Sequence, residues 1–265
     1  MRRLNYKDAK TVLLNTAVGE FNAIIVGSHG IGKTYMVQEI AQELNLNLGY
    51  WSASTMDPYI DLVGVPYPDK DTGRLRFAQR DDIFNMEFLF FDELNRAHLK
   101  VRNSILELIQ FKRINGVKLP KLKMVWAAIN PPTEEYQVDD LDPALRDRFH
   151  VHIELAPTPC VDFLKTKMKN ETAEFIYNWW NQLGQDDKEK VTPRRLEYLG
   201  MCYDTGISVL DAAGDAIGKN ALSLLDTYLK QSNNKAKIKG LDVGNPKIIK
   251  NKMNKIIQSV WEDAK

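Results

Sequence analysis

The stretch Gly27-Ser28-His29-Gly30-Ile31-Gly32-Lys33-Thr34 fits the pattern G-x-x-x-x-G-K-[ST] at every fixed position. Glycines so spaced let backbone N–H groups turn inward around phosphate oxygens, and a helix starting at the end of the loop adds the positive end of its dipole. Lys33 is expected to reach the β- and γ-phosphates of a nucleotide, and Thr34 to ligate Mg²⁺. A chain of 265 residues matches this pattern by accident roughly once in a hundred, so the flanks decide. Upstream, FNAIIVG is short, β-branched and closed by glycine, the mark of a buried strand. Downstream, IGKTYMVQEIAQELN carries Met36, Val37, Ile40, Ala41 and Leu44 at helical spacing. Strand, loop and helix stand where a phosphate loop needs them.

Outward from the loop the same alternation continues. Residues 4–18 have helical spacing, and a short strand is expected around Leu48–Ser52. In MDPYIDLVGVPYPDKDTGRLRFAQRDDIF, Pro58, Pro66, Pro68 and Gly73 exclude a long helix and predict a loop with a small hairpin. FLFFDE is the most apolar strand of the chain, and the helix after it shows Val101, Ile105, Leu108 and Ile109 on one face. FKRINGVKLPKL holds the Asn-Gly of a tight turn, MVWAAIN reads as a buried strand, DDLDPALRDRF as a helix and VHIEL as a last strand. This order predicts an α/β fold over residues 1–158, a P-loop αβα sandwich with a central parallel sheet and helices on both faces. At APTPC (156–160) two prolines end the strand patterns. Beyond them VDFLKTKMKNETAEFIYNWWNQL, PRRLEYLGMCYDTG and SVLDAAGDAIGKNALSLLDTYLK predict a small all-α domain over residues 159–265.

Polar residues at the ends of these strands carry the chemistry. Asp92 and Glu93 close FLFFDE, at the edge where open α/β sheets bind ligands. Asp92 suits the Mg²⁺ shell and Glu93 suits polarising an attacking water. Asn130 closes MVWAAIN before two prolines; it either caps a turn or faces a γ-phosphate and orients the water with Glu93. Arg146 and Arg148 either join Asp140, Asp142 and Asp147 in a solvated cluster or act as fingers on a neighbour's γ-phosphate. Arg194 and Arg195, after Pro193, are either surface charges or a phosphate sensor. His150 and His152 alternate as metal ligands sometimes do, but lack a third ligand nearby.

Composition bounds the rest. With 36 Lys and Arg against 35 Asp and Glu, the net charge of +1 gives no global signal for nucleic acid or membrane surface. No apolar run is long enough for a signal peptide or membrane span, and Cys160 and Cys202 lack paired spacing, so a soluble, cytoplasmic protein in a reducing compartment is expected. Residues 230–255 hold eight lysines and one acidic residue, Asp242. That stretch is either a solvated helix face or a docking surface for nucleic acid or an acidic partner.

Taken together, GSHGIGKT, FLFFDELNRA, AAINPP, LDPALRDRF and VTPRRLEYL resemble the AAA+ superfamily, and within it the MoxR and NorQ-type members grouped with dynein-related ATPases. The resemblance spans roughly residues 20–200. It implies an ATP- and Mg²⁺-dependent ATPase assembled as a homo-oligomeric ring, usually of six subunits, with sites between neighbours and a helical lid domain. By position, residues Gly27, Ser28, His29, Gly30, Ile31, Gly32, Lys33 and Thr34 correspond to Walker A, Asp92 and Glu93 to Walker B, and Asn130 to sensor 1. Arg148 corresponds to the arginine finger, with Arg146 a second candidate. Arg194 matches the sensor 2 arginine, a role Arg195 could share. His29 stands where Pro or Gly is often found. The segments around 56–84 and 111–122 resemble hairpins that commonly face the ring's pore. The resemblance further implies remodelling or activation of a partner protein, such as one with a von Willebrand factor A domain. A motor or loader on nucleic acid is the alternative.

Overall fold

The computed structural model describes residues 1–78, 81–131, 141–213 and 225. In chain order the first compact unit, Met1–Thr158, contains β1 (Arg2–Leu4), α1 (Tyr6–Val18), β2 (Ala23–Val26), α2 (Lys33–Glu43), β3 (Leu48–Ser52), β4 (Val65–Pro68), β5 (Leu75–Ala78), β6 (Phe88–Asp92), α3 (Leu99–Phe111), β7 (Arg113–Ile114), β8 (Val117–Lys118), β9 (Met124–Ile129), α4 (Pro143–Asp147) and β10 (Val151–Leu155). Six strands form one sheet in the order β1-β10-β2-β9-β6-β3, and every pair in it is parallel.

Parallel strands buried on both faces need continuous apolar runs, and β9 is buried at all six positions. Alternate residues go to opposite cores. Ile25, Phe88, Phe90, Trp126 and Ala128 pack with Leu13 of α1 and with Met36, Val37 and Ile40 of α2. Ile24, Leu89, Phe91, Val125 and Ala127 pack with Val101, Ile105 and Leu108 of α3. The ring of Phe88 meets that of Trp126 edge-on, with centroids 4.8 Å apart, and Trp126 Nε1 donates to Phe21 O at 2.9 Å. The outcome is an α/β sandwich whose parallel strands all point their carboxyl ends at one edge.

Two antiparallel hairpins project from this frame. β4 and β5 pair Pro66 with Phe77 and Pro68 with Leu75, and Val65, Tyr67, Leu75 and Phe77 are exposed. β7 and β8 are joined by Asn115 and Gly116, both at positive φ (47° and 77°), as a two-residue hairpin turn requires.

The N-terminus differs from the sequence reading. Arg2–Leu4 adds a parallel edge strand to β10, whereas no strand is expected from a charged start. Only Leu4 of the three is buried, so the strand is made by its neighbour rather than by its own pattern.

The second unit begins at Pro159. It contains α5 (Val161–Lys167), α6 (Asn170–Gln182), α7 (Gln185–Lys190), α8 (Pro193–Asp204) and α9 (Val209–Ala213). Its core is formed by Leu164, Ile176, Trp179, Trp180, Leu196 and Leu199, among others. The continuous helical pattern of VDFLKTKMKNETAEF is broken at Met168 and Lys169. Asp204 explains the break: it accepts from Lys169 N at 2.7 Å and from Thr172 Oγ1 at 2.6 Å, serving as a distant cap for α6. The lysine-rich stretch 230–255 and Asp140 lie outside the described residues. Among the described residues no helix is long and apolar enough to cross a membrane.

Candidate functional site

The loop after β2 is shaped by its glycines. A Cβ on Gly27 would lie 2.3 Å from Ile31 Cδ1 and 3.1 Å from the carbonyl oxygen of Leu155, so a side chain there would have to displace the Ile31 side chain. Gly32 stands at φ 92°, in the left-handed region, as the N-cap of α2. Having no side chain, it offers no cap to the first-turn N–H groups, which stay available to an anion. Ser28 is half-buried and His29 exposed at the crest of the loop, while Ile31 anchors it in the core.

Lys33 follows at the start of α2, 8% exposed. Its ammonium donates to Gly27 O at 2.6 Å, Ser28 O at 2.9 Å and Asn130 Oδ1 at 3.1 Å. An ammonium brings three donors, and here the loop's own oxygens occupy the positions that phosphate oxygens would take. Thr34 Oγ1 donates to Asp92 Oδ2 at 2.6 Å, joining the first turn of α2 to the end of β6. Tyr50 of β3 donates to the same oxygen at 3.4 Å. Burial, and after it the Asp92 carboxylate, raises the Tyr50 hydroxyl above its ordinary pKa.

Glu93, the next residue, takes left-handed backbone angles (φ 55°, ψ 40°), a conformation that costs a non-glycine residue about 1 kcal/mol. The turn swings its carboxylate off the strand axis. Its Oε2 accepts from Ser54 Oγ at 3.0 Å and its Oε1 pairs with Arg96 Nη1 at 3.4 Å. Asn130, 3% exposed, closes β9 with its amide oxygen on Lys33. Lys33, Thr34, Asp92, Glu93 and Asn130 thus come together from three adjacent strand ends. Thr34 and Asp92 offer the hard oxygen donors that suit Mg²⁺. Among the described residues no group of three or more His, Cys, Asp or Glu could hold a metal ion, so phosphate and water would complete the shell of an ion held there.

Within the first unit, Arg146 and Arg148 lie elsewhere. Arg148, at the end of α4, donates through Nε and Nη2 to Gln110 Oε1 at 3.2 and 3.1 Å, and through Nη1 to Ala144 O at 2.6 Å. Gln110 is near the far end of α3 from Leu99, on the order of 16 Å down the helix axis. That places Arg148 toward the amino ends of the strands, across the sheet from its own phosphate loop. Arg146 is exposed on the same short helix. In the second unit Arg194 is exposed and Arg195 half-buried in the first turn of α8, where Thr192 Oγ1 caps Arg195 N. The histidines are used structurally: His150 Nδ1 accepts from Asn22 N, and His152 Nε2 bonds Phe149 O. Asn95, Ser54 and Tyr50 are not singled out from the sequence. Asn95 alone left a signal, a polar residue in the turn after the most apolar strand.

A parallel sheet with this loop between β2 and α2 defines a P-loop nucleotide-binding protein. Residues 22–151 match the family model described as "ATPase family associated with various cellular activities (AAA)". Over this segment the chain resembles the ATPase domains of that family. No curated protein matches the sequence. The chain resembles the Thermotoga maritima RuvB Holliday junction branch migration motor at 18% identity, covering 83% of this chain and 67% of that one, with a TM-score of 0.50. A variant of the same motor is matched over 83% of this chain and 68% of that one, at 18% identity and a TM-score of 0.51. These likenesses are of fold.

Proposed function

We propose that the chain hydrolyses ATP with Mg²⁺ as one subunit of a homo-oligomeric ring and uses the cycle to remodel a partner protein. The observation that carries the site is the meeting of Lys33, Thr34, Asp92, Glu93 and Asn130 at the carboxyl edge. In this reading the nucleotide's phosphate oxygens take over the Lys33 ammonium from Gly27 O and Ser28 O, and first-turn N–H groups of α2 hold the rest. Thr34 and, through water, Asp92 would hold Mg²⁺, which would supply positive charge to the phosphates. Glu93, turned off its strand, takes a proton from the attacking water as that water's oxygen bonds the γ-phosphorus and the bond to the bridging oxygen breaks. Asn130 holds the water and the γ-phosphate in register. The products are ADP and phosphate.

The position of Arg148 supports the ring reading. Its guanidinium is bonded to Gln110 near the far end of α3, away from its own loop, so in this reading it acts on the γ-phosphate of a neighbouring copy. Arg146 is the second candidate, and Arg194 with Arg195 would sense phosphate from the helical unit. A partner protein, with a von Willebrand factor A domain as one type, is suggested by the sequence resemblance, as is the hexameric state. The fold neighbours include a branch migration motor, which keeps action on nucleic acid as the second reading; stimulation of hydrolysis by DNA or RNA separates the two.

The test measures hydrolysis per subunit against protein concentration for the wild type, Glu93→Gln, Arg148→Ala and an equimolar mixture of the two variants. Activity should rise with concentration, drop about 100-fold in either variant, and partly return on mixing. Hydrolysis flat with concentration and indifferent to Arg148→Ala would leave a nucleotide-hydrolysing monomer.

A further inference from the structure

We infer that Asn95 is a positioning residue for hydrolysis, fixing the distance between the carboxylate of Glu93 and the amide of Asn130. The inference rests on the roles proposed above for those two residues. Asn95 lies in the single helical turn Leu94–Arg96 that follows Glu93, yet it is only 3% exposed, as is Asn130. Its Nδ2 donates to Asn130 O at 2.8 Å, and its Oδ1 accepts from Asn130 N at 3.3 Å.

The register explains why this pair exists. The ladder between β6 and β9 ends at Phe91 opposite Ala127, because Glu93 turns left-handed and the chain leaves the sheet. Beyond that point the backbone of Asn130 would be buried with neither partner filled, and Pro131 has no N–H to share the load. Unpaired buried backbone groups are costly. The side-chain amide of Asn95 reproduces a peptide group, one donor and one acceptor, and adds a further rung where the strand can no longer supply one. Both bonds go to the backbone of Asn130, leaving its side chain directed at Lys33. A single residue, two positions after Glu93, therefore clamps the end of β9 to the turn that aims Glu93.

The chemistry of the clamp is specific. Leucine has the size of asparagine with neither donor nor acceptor, and ionised aspartate keeps the shape but loses the donor toward Asn130 O. The experiment compares Asn95→Leu and Asn95→Asp with the wild type, reading kcat, KM, affinity for a fluorescent ADP and melting temperature. Misplacement by a fraction of an ångström to 1 Å should lower kcat about 100-fold while ADP affinity stays within about threefold, because the phosphate loop itself is untouched. If Asn95→Leu fails to fold, Asn95→Asp carries the test. A kcat within twofold of wild type in a folded variant overturns the inference, and so does a loss of ADP affinity in step with kcat, which marks general disruption. Glu93→Gln and Asn130→Ala run alongside: if they hydrolyse normally, the proposed roles fail; if they are inactive and the Asn95 variants are not, only the clamp fails.

Discussion

Two lysines mark opposite ends of the same sheet. Lys33, at the carboxyl ends, is buried and gives its ammonium to Gly27 O, Ser28 O and Asn130 Oδ1. Lys112, half-buried at the amino ends, reaches Asn22 Oδ1 at 3.5 Å, an oxygen that already accepts from Val125 N at 2.9 Å. Burial pushes the Lys112 amine below its ordinary pKa, with Glu20 pulling weakly the other way. In the proposed reading, an anionic phosphate displaces Gly27 O and Ser28 O from the Lys33 ammonium. Lys112 sits at a helix end, where its backbone, left-handed at φ 53°, caps α3 by donating its N–H to Leu108 O. In that reading, burying a cation is a working arrangement at one edge and a structural cost at the other.

Substituting each side in turn should break or sharpen this contrast. The largest effect is expected from Lys33→Met, which should cut hydrolysis about 1,000-fold and weaken nucleotide binding, followed by phosphate release and by titration with a fluorescent nucleotide. Retention of activity within tenfold would erase the distinction between the two ends. Next, Asp92→Asn should lower hydrolysis about 100-fold and raise the Mg²⁺ concentration needed for half-maximal rate; a chelator should stop turnover of the wild type. The smallest effect belongs to Lys112→Met. Hydrolysis should be unchanged, and the melting temperature at pH 7 should rise by about 2 °C. The gain has a sign that pH can check. With the folded pKa lowered from 10.5, the unfolded chain holds more protons between the two values, so the wild type gains stability as pH climbs through that window. The advantage of Lys112→Met should therefore shrink toward pH 10.5, and a constant or growing advantage would show that packing, not charge, is responsible.

Much of the first unit is legible in the sequence because its signals are local. The phosphate loop needs fixed residues at fixed spacing, β2, β6 and β9 are apolar runs, and β10 alternates, patterns that do not depend on neighbours. What escapes depends on distant partners. The edge strand Arg2–Leu4 exists only because β10 offers a ladder. The break between α5 and α6 has no Gly or Pro to announce it, since its cap, Asp204, arrives from α8. Asn95 is anonymous until Asn130 lies beside it, and Ser54 until Glu93 turns toward it. Helix α7 has no buried residue and so no apolar period to read. Arg148 is named as a finger by pattern, but its position across the sheet from its own loop comes from Gln110 on α3, a pairing that spacing does not encode.

The hairpin of β4 and β5 carries exposed Val65, Tyr67, Leu75 and Phe77, a surface that invites strand-to-strand sticking. Proline has no N–H for a ladder, so Pro66 and Pro68 belong to the positions of β4 that face away from β5. An approaching chain would meet carbonyls there and no amide hydrogens, and could not zip on as a third strand. On the β4 side the backbone therefore refuses the growth that the side chains would encourage, so a strand added to this hairpin would have to come along β5, which carries no proline.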